Sequence, residues 1–245
     1  MVQPFVRADP PRQAAVDRST QTLGVMNSTR EKLARLRTLG KLRSRVCFAG
    51  YHTLAEYAGA VPDTNFVSPY TMGAKNVNSP IFILLQDWAS DEYLRQRPSL
   101  ALLKMGRDPS FPTNKRLEKL LVQYFRVSIE QTFATNLFPY IKPGKTGTFL
   151  PRADLAAAAR LFAVPQIDIV EPRLVVCLGL QAFNAVAEAL GKSTYQSIDQ
   201  AIQKPFRHRT TQIYCQAHTG NRGESNRGAS VVLQDWRRMA KRFPP

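Results

Sequence analysis

Ile81-Phe82-Ile83-Leu84-Leu85 is an uninterrupted run of five apolar side chains. Successive side chains of an extended chain point to opposite faces, so such a run fits a strand that is covered on both sides. Three further short segments read as strands: residues 132–137, 174–178 and 212–217. Between them apolar residues recur at helical spacing, over 114–125 with Leu117, Leu120, Leu121 and Tyr124 on one face, and over 153–169, 181–190 and 230–242. Strands that alternate with amphipathic helices predict right-handed crossovers and an α/β fold, a three-layer α/β/α domain around a central four-stranded parallel sheet.

Upstream of the first strand the pattern changes. Residues 1–27 show no periodicity and are expected to form a flexible arm, after which Ser28-Thr29-Arg30-Glu31 is a capping box that opens a helix over 30–42. A second such signature at Thr53 to Glu56 predicts a short helix through residue 60, followed by a polar connection over 62–79. The expected organisation is a basic N-terminal extension over 1–45 and a single α/β/α domain over 46–245.

Charge is concentrated on the two flanks. The chain has 34 Lys and Arg against 18 Asp and Glu, a formal net charge of +16 over 245 residues. Residues 18–45 hold eight basic groups and one acidic, and residues 204–245 hold nine basic and two acidic, while the long middle is close to neutral. Basic flanks on a neutral core suit a polyanion, because each neutralised phosphate releases counterions. No apolar stretch approaches the roughly 20 residues that a bilayer requires, and Asp9, Pro10 and Pro11 stand where a signal peptide would be apolar. Cys47, Cys177 and Cys215 are too few and too scattered for a disulfide framework or a metal knuckle. The chain is therefore expected in a reducing cytoplasm, or in the nucleus if eukaryotic.

Open parallel sheets bind ligands beyond the carboxyl ends of their strands. There the chain places Gln86-Asp87-Trp88 after the first strand, Asn136 in the second, Gly179 after the third and His218-Thr219-Gly220-Asn221-Arg222-Gly223 after the fourth. A carboxylate, an amide and an imidazole are thus expected on one rim. Other chemistries lack their residues. Gly144-Lys145-Thr146 and Gly191-Lys192-Ser193 resemble the end of a phosphate-binding loop, but Pro139 and Val186 stand where its first glycine must be. There is no G-x-S-x-G elbow and no G-x-G-x-x-G fingerprint, and His52, His208 and His218 have no metal-ligand spacing.

In the same order, Leu84-Leu85-Gln86-Asp87-Trp88, Gly106-Arg107-Asp108-Pro109-Ser110-Phe111, Ala134-Thr135-Asn136-Leu137, the stretch from Pro172 to Leu178-Gly179, and Cys215-Gln216-Ala217-His218 resemble the uracil-DNA glycosylase superfamily. The resemblance spans most of residues 80–240. It implies a monofunctional glycosylase that hydrolyses the N-glycosidic bond of uracil or a related damaged base flipped out of DNA, acting as a monomer without a cofactor. Asp87 and His218 are then catalytic: the carboxylate serves the developing sugar cation and orients water, and the imidazole steadies the departing base. Gln86, Trp88, Phe111 and Asn136 would bind the base, Asn136 reading its edge and Phe111, or its rival Trp88, stacking on it. Asn221, Arg222 and Arg227 would form a flexible basic loop on the DNA, with Arg222 as wedge or phosphate contact.

Against the family pattern, Leu85 stands for a glycine, Trp88 for a proline and Thr219-Gly220 for Pro-Ser, and Ala89 falls where one branch has a thymine-excluding tyrosine. Uracil, a 5-substituted uracil and hypoxanthine all stay open as the base. Three cysteines do not supply the four that an iron–sulfur cluster of some branches needs. Two alternatives accompany this reading: a DNA-binding protein on the same fold without effective catalysis, and a small-molecule enzyme acting on a nucleotide-like anion.

Overall fold

The computed structural model describes residues 13–243 apart from 58, 63, 97, 98 and 146, with side chains described from Ser28 onward, that of Arg222 excepted. In chain order its main elements are α1 (Gln13–Arg45), β1 (Ile81–Asp87), α2 (Asp91–Arg95), α3 (Leu100–Met105), α4 (Pro112–Phe125), β2 (Phe133–Phe138), α5 (Arg152–Ala158), α6 (Val164–Val170), β3 (Leu174–Leu178), α7 (Leu180–Ala189), α8 (Ile198–Gln203), β4 (Phe206–His208), β5 (Thr211–Gln216), α9 (Asn221–Arg227) and α10 (Ala229–Ala240). All four expected strands are present, three within a residue of their expected bounds and the first extended by two residues to Asp87. The sheet runs β2-β1-β3-β5-β4, and its first four strands are parallel.

The sheet has five strands, not four. β4 is a three-residue edge strand, antiparallel to β5 and joined to it by a two-residue turn at Arg209-Thr210, with Arg209 at φ 53°. Its sequence, Phe206-Arg207-His208, is half-buried or exposed throughout and carries no apolar run, which is why periodicity misses it. The helix expected over 153–169 is also subdivided. A π turn at Ala159–Ala163 separates α5 from α6 just before Pro165, whose ring nitrogen cannot donate into the preceding turn.

Side-chain alternation sorts the core into two layers. Ile81, Ile83 and Leu85 of β1, Ala134 of β2, Leu174, Val176 and Leu178 of β3 and Tyr214 of β5 pack beneath α4 and α10. Phe82, Leu84, Phe133, Val175, Cys177, Ile213 and Cys215 pack on the opposite face, against α5, α6, α7 and α8. The result is the expected three-layer α/β/α architecture.

The N-terminal segment departs from expectation. α1 begins at Gln13 instead of residue 30, so Ser28-Thr29-Arg30-Glu31 lies inside a helix and caps nothing; residues 1–12 of the expected arm lie outside the described residues. Leu36 is fully buried in the core, with Leu33 and Leu39 packed around it, and Lys32 donates to the carbonyl of Val170 at 2.9 Å. This stretch of α1 belongs to one outer layer of the domain and is not a separate extension.

Gly40 shows what that docking requires. A Cβ there would collide with the backbone carbonyl of Asn65, so the helix can approach the segment leading to Ser68 only because residue 40 has no side chain. Gly40→Ala therefore sets about 1 kcal/mol of gained helix propensity against overpacking onto rigid backbone, which costs about 1–3 kcal/mol. The second effect wins because the obstacle is main chain, and equilibrium denaturation should show a net loss of stability for G40A.

Candidate functional site

The sheet order reverses between β1 and β3, since the chain leaves β1 toward β2 on one side and continues from β3 toward β5 on the other. That switch point is where an open parallel sheet leaves a crevice at its carboxyl edge. A cavity of about 580 Å³ lies there, within the range of small-ligand pockets. Asp87, Asn136 and His218 all line it, with Trp88, Phe111 and Asn221.

Their convergence follows from parity. Asp87 continues the Ile81, Ile83, Leu85 series, Asn136 follows Ala134, and His218 stands four residues beyond Tyr214, so the three belong to the same face of the sheet. Gln86 has the opposite parity and does not line the cavity. Its amide reaches only to Asp87 Oδ1, at 3.3 Å, so its expected place in base binding is corrected to a contact with the carboxylate.

Asp87 is held from below by a residue that the sequence reading overlooked. Lys142, four residues past the end of β2 and 3% exposed, places its ammonium 2.5 Å from Asp87 Oδ2. The buried ammonium and the half-buried carboxylate hold each other in one geometry. A lysine beyond a strand has no sequence signature of its own; its meaning comes from folding back over the end of β1, where Asp91 N–H bonds to the Lys142 carbonyl at 2.9 Å.

His218 is a neutral donor. Its Nδ1 accepts the Gly220 N–H at 2.9 Å, so the hydrogen of the uncharged ring resides on Nε2. Burial pushes its pKa below the ordinary 6.5, and the nearby Asp87 carboxylate offsets this in part. Asn136 is buried, accepts from Ser68 Oγ at 2.5 Å through Oδ1, and leaves Nδ2 without a partner.

Aromatic walls complete the cavity. Trp88 donates its indole N–H to the Gly106 carbonyl at 2.7 Å, which pins the ring in place. Phe111 is 40% exposed, with its ring 5.7 Å from that of Tyr93, and is the freer of the two stacking surfaces. Behind them Tyr70 donates to Asn114 Oδ1 at 2.8 Å, and Asn114 donates to the Asp108 carbonyl at 2.6 Å. Tyr70 and Asn114, like Lys142, lay outside the sequence reading because polar residues gain a role only when tertiary packing buries them together.

The segment after His218 is not a loop. α9 starts directly after Gly220, and Arg116 of α4 secures it by donating to Asn221 Oδ1 at 2.8 Å and pairing with Glu224 at 2.7 Å. Arg227 is corrected from a DNA contact to a structural residue, since its guanidinium is 11% exposed and paired at 2.5 Å with both Asp235 and Asp199. Arg222 lies in α9, but its side chain is outside the described residues.

The lowered pKa of His218 has a consequence for stability. As pH falls through 6.5 the unfolded chain binds a proton that the buried ring resists, so the unfolded state gains and stability drops. Denaturation midpoints measured between pH 7 and 5.5 should fall more steeply for the wild type than for H218Q. Neither models of known protein families nor characterised proteins match this sequence.

Proposed function

We propose that the protein is a DNA glycosylase that hydrolyses the N-glycosidic bond of uracil or a related base held in the cavity, leaving an abasic site. The observation that carries this reading is the joint presence, in one cavity of about 580 Å³, of an ion-paired carboxylate and a neutral imidazole whose N–H is free to donate. Breaking this bond puts positive charge on the sugar and negative charge on the base. Asp87 answers the first charge and can align the attacking water. His218 Nε2–H answers the second without first having to lose a proton.

Charge supports a nucleic-acid substrate. Arg30, Arg35, Arg37, Lys41 and Arg45 are exposed on α1, and none has a carboxylate partner among the described residues. Ten other Lys and Arg have carboxylate partners among the described residues, Lys32 with Glu171 and Arg152 with Glu188 among them, while Lys115, Lys119, Lys204 and Arg237 are further cations without one. Among the described residues of α1, Leu33, Leu36 and Leu39 are already used against the core. Among the described residues no helix is long and apolar enough to cross a membrane.

The deciding experiment is base release from oligonucleotides carrying uracil, hydroxymethyluracil or hypoxanthine, followed by alkaline cleavage. Asp87→Ala and His218→Ala should each lower single-turnover rates by about 3–4 kcal/mol of transition-state stabilisation while DNA binding persists. Wild-type DNA binding without release would transfer the weight to a non-catalytic binding protein.

Binding itself should weaken with salt at a slope of about −0.9 per phosphate neutralised on duplex DNA. The double variant R37Q/K41Q should reduce that slope by about two, with single-turnover rates at saturation unchanged.

A further inference from the structure

Ser68 lies on the connection before β1 and is completely buried, yet its hydroxyl is fully engaged. Its Oγ accepts the Tyr70 N–H at 3.2 Å and donates to Asn136 Oδ1 at 2.5 Å. Asn136 lines the cavity, and its Nδ2 is buried and unpartnered. The reverse amide orientation would strand both the Asn136 carbonyl oxygen and the Ser68 hydroxyl hydrogen, two buried polar groups in place of one. The hydroxyl thus decides which end of the amide is left free, and that end is the donor.

The surroundings of Ser68 make this a firm setting. Gly40 lets α1 press against Asn65 just upstream, and Gly106, at φ 70°, packs against the Pro69 carbonyl just downstream. A side chain at either glycine would push the Ser68 segment away. The Gly220 amide imposes the same polarity on His218, so two separate hydrogen bonds turn two side chains into donors facing one cavity.

We infer that Ser68 is a specificity-determining residue: by holding the Asn136 carbonyl it leaves a donor alone to meet the ring edge of the base, so that a ring carbonyl is accepted and an exocyclic amine in that place is refused. Facing an amine, the amide would leave both donors unpaired in a buried site, a stronger discrimination than a difference of shape alone. This inference rests on the cavity being a base pocket, as proposed above, but not on its catalysing anything.

The test is equilibrium binding, by NMR titration of the full-length protein, of free uracil and free cytosine to the wild type, S68A and S68T. The wild type should prefer uracil by at least tenfold, and S68A, which loses only the hydroxyl, should lose most of that preference. S68T, which retains the hydroxyl, should keep it. A merely structural role would weaken both bases alike and leave their ratio unchanged, which would overturn the inference, as would a wild type that binds both equally or neither. The amide signals of Asn136 in the S68A spectrum give a second readout, since a freed side chain shifts and broadens while the fold-reporting signals stay in place. Uracil binding without base release would remove the catalytic proposal and leave this one standing.

Discussion

Parallel pairing of β1 with both β2 and β3 is the constraint on which the site depends. Register matches Leu85 with Asn136 and Leu84 with Cys177, so every strand contributes its odd or even series to a defined face. A slip of one residue would turn Asp87 away from the cavity and bring Gln86 in. Apolar side chains on both faces oppose such a slip, because it would exchange the contents of two packed layers, one under α4 and α10 and the other under α5 to α8. The rim is precise because the interior beneath it cannot shift.

Polar groups at that rim are wholly or partly taken out of water, at a cost that the fold meets in three different ways. Asp87 has Lys142, an ion pair whose desolvation is offset only by close geometry. His218 avoids the cost by staying neutral, with one nitrogen satisfied by the chain itself. Asn136 is satisfied at its oxygen and left unsatisfied at its nitrogen. Unpaired buried groups are rare in folded proteins, and one that borders a cavity marks where a ligand can supply the missing bond.

The basic segment 28–45 combines two roles on one helix. Its apolar positions, Leu33, Leu36 and Leu39, close one layer of the core, while its exposed arginines and lysines project their charge outward without carboxylates to quench it. Such unpaired charge on a rigid helix keeps its field, whereas Arg227 at the other end of the chain has its charge taken up internally.

Periodicity alone determined the α/β architecture, the four parallel strands and the principal helices flanking them, because burial on both faces of a strand or on one face of a helix writes itself directly into residue order. The positions of Asp87, Asn136 and His218 at strand ends were legible for the same reason. The antiparallel edge β4 was not, since an edge strand of three residues buries too little to leave a pattern. Tertiary structure alone decided that Gln86 leaves the cavity, that Arg227 is an internal ion-pair partner and that α1 joins the core. It also decided that Ser68 and Lys142 set the orientation of Asn136 and Asp87. Those two residues act across 68 and 55 positions of sequence, through hydrogen bonds that exist only once the sheet has brought its ends together.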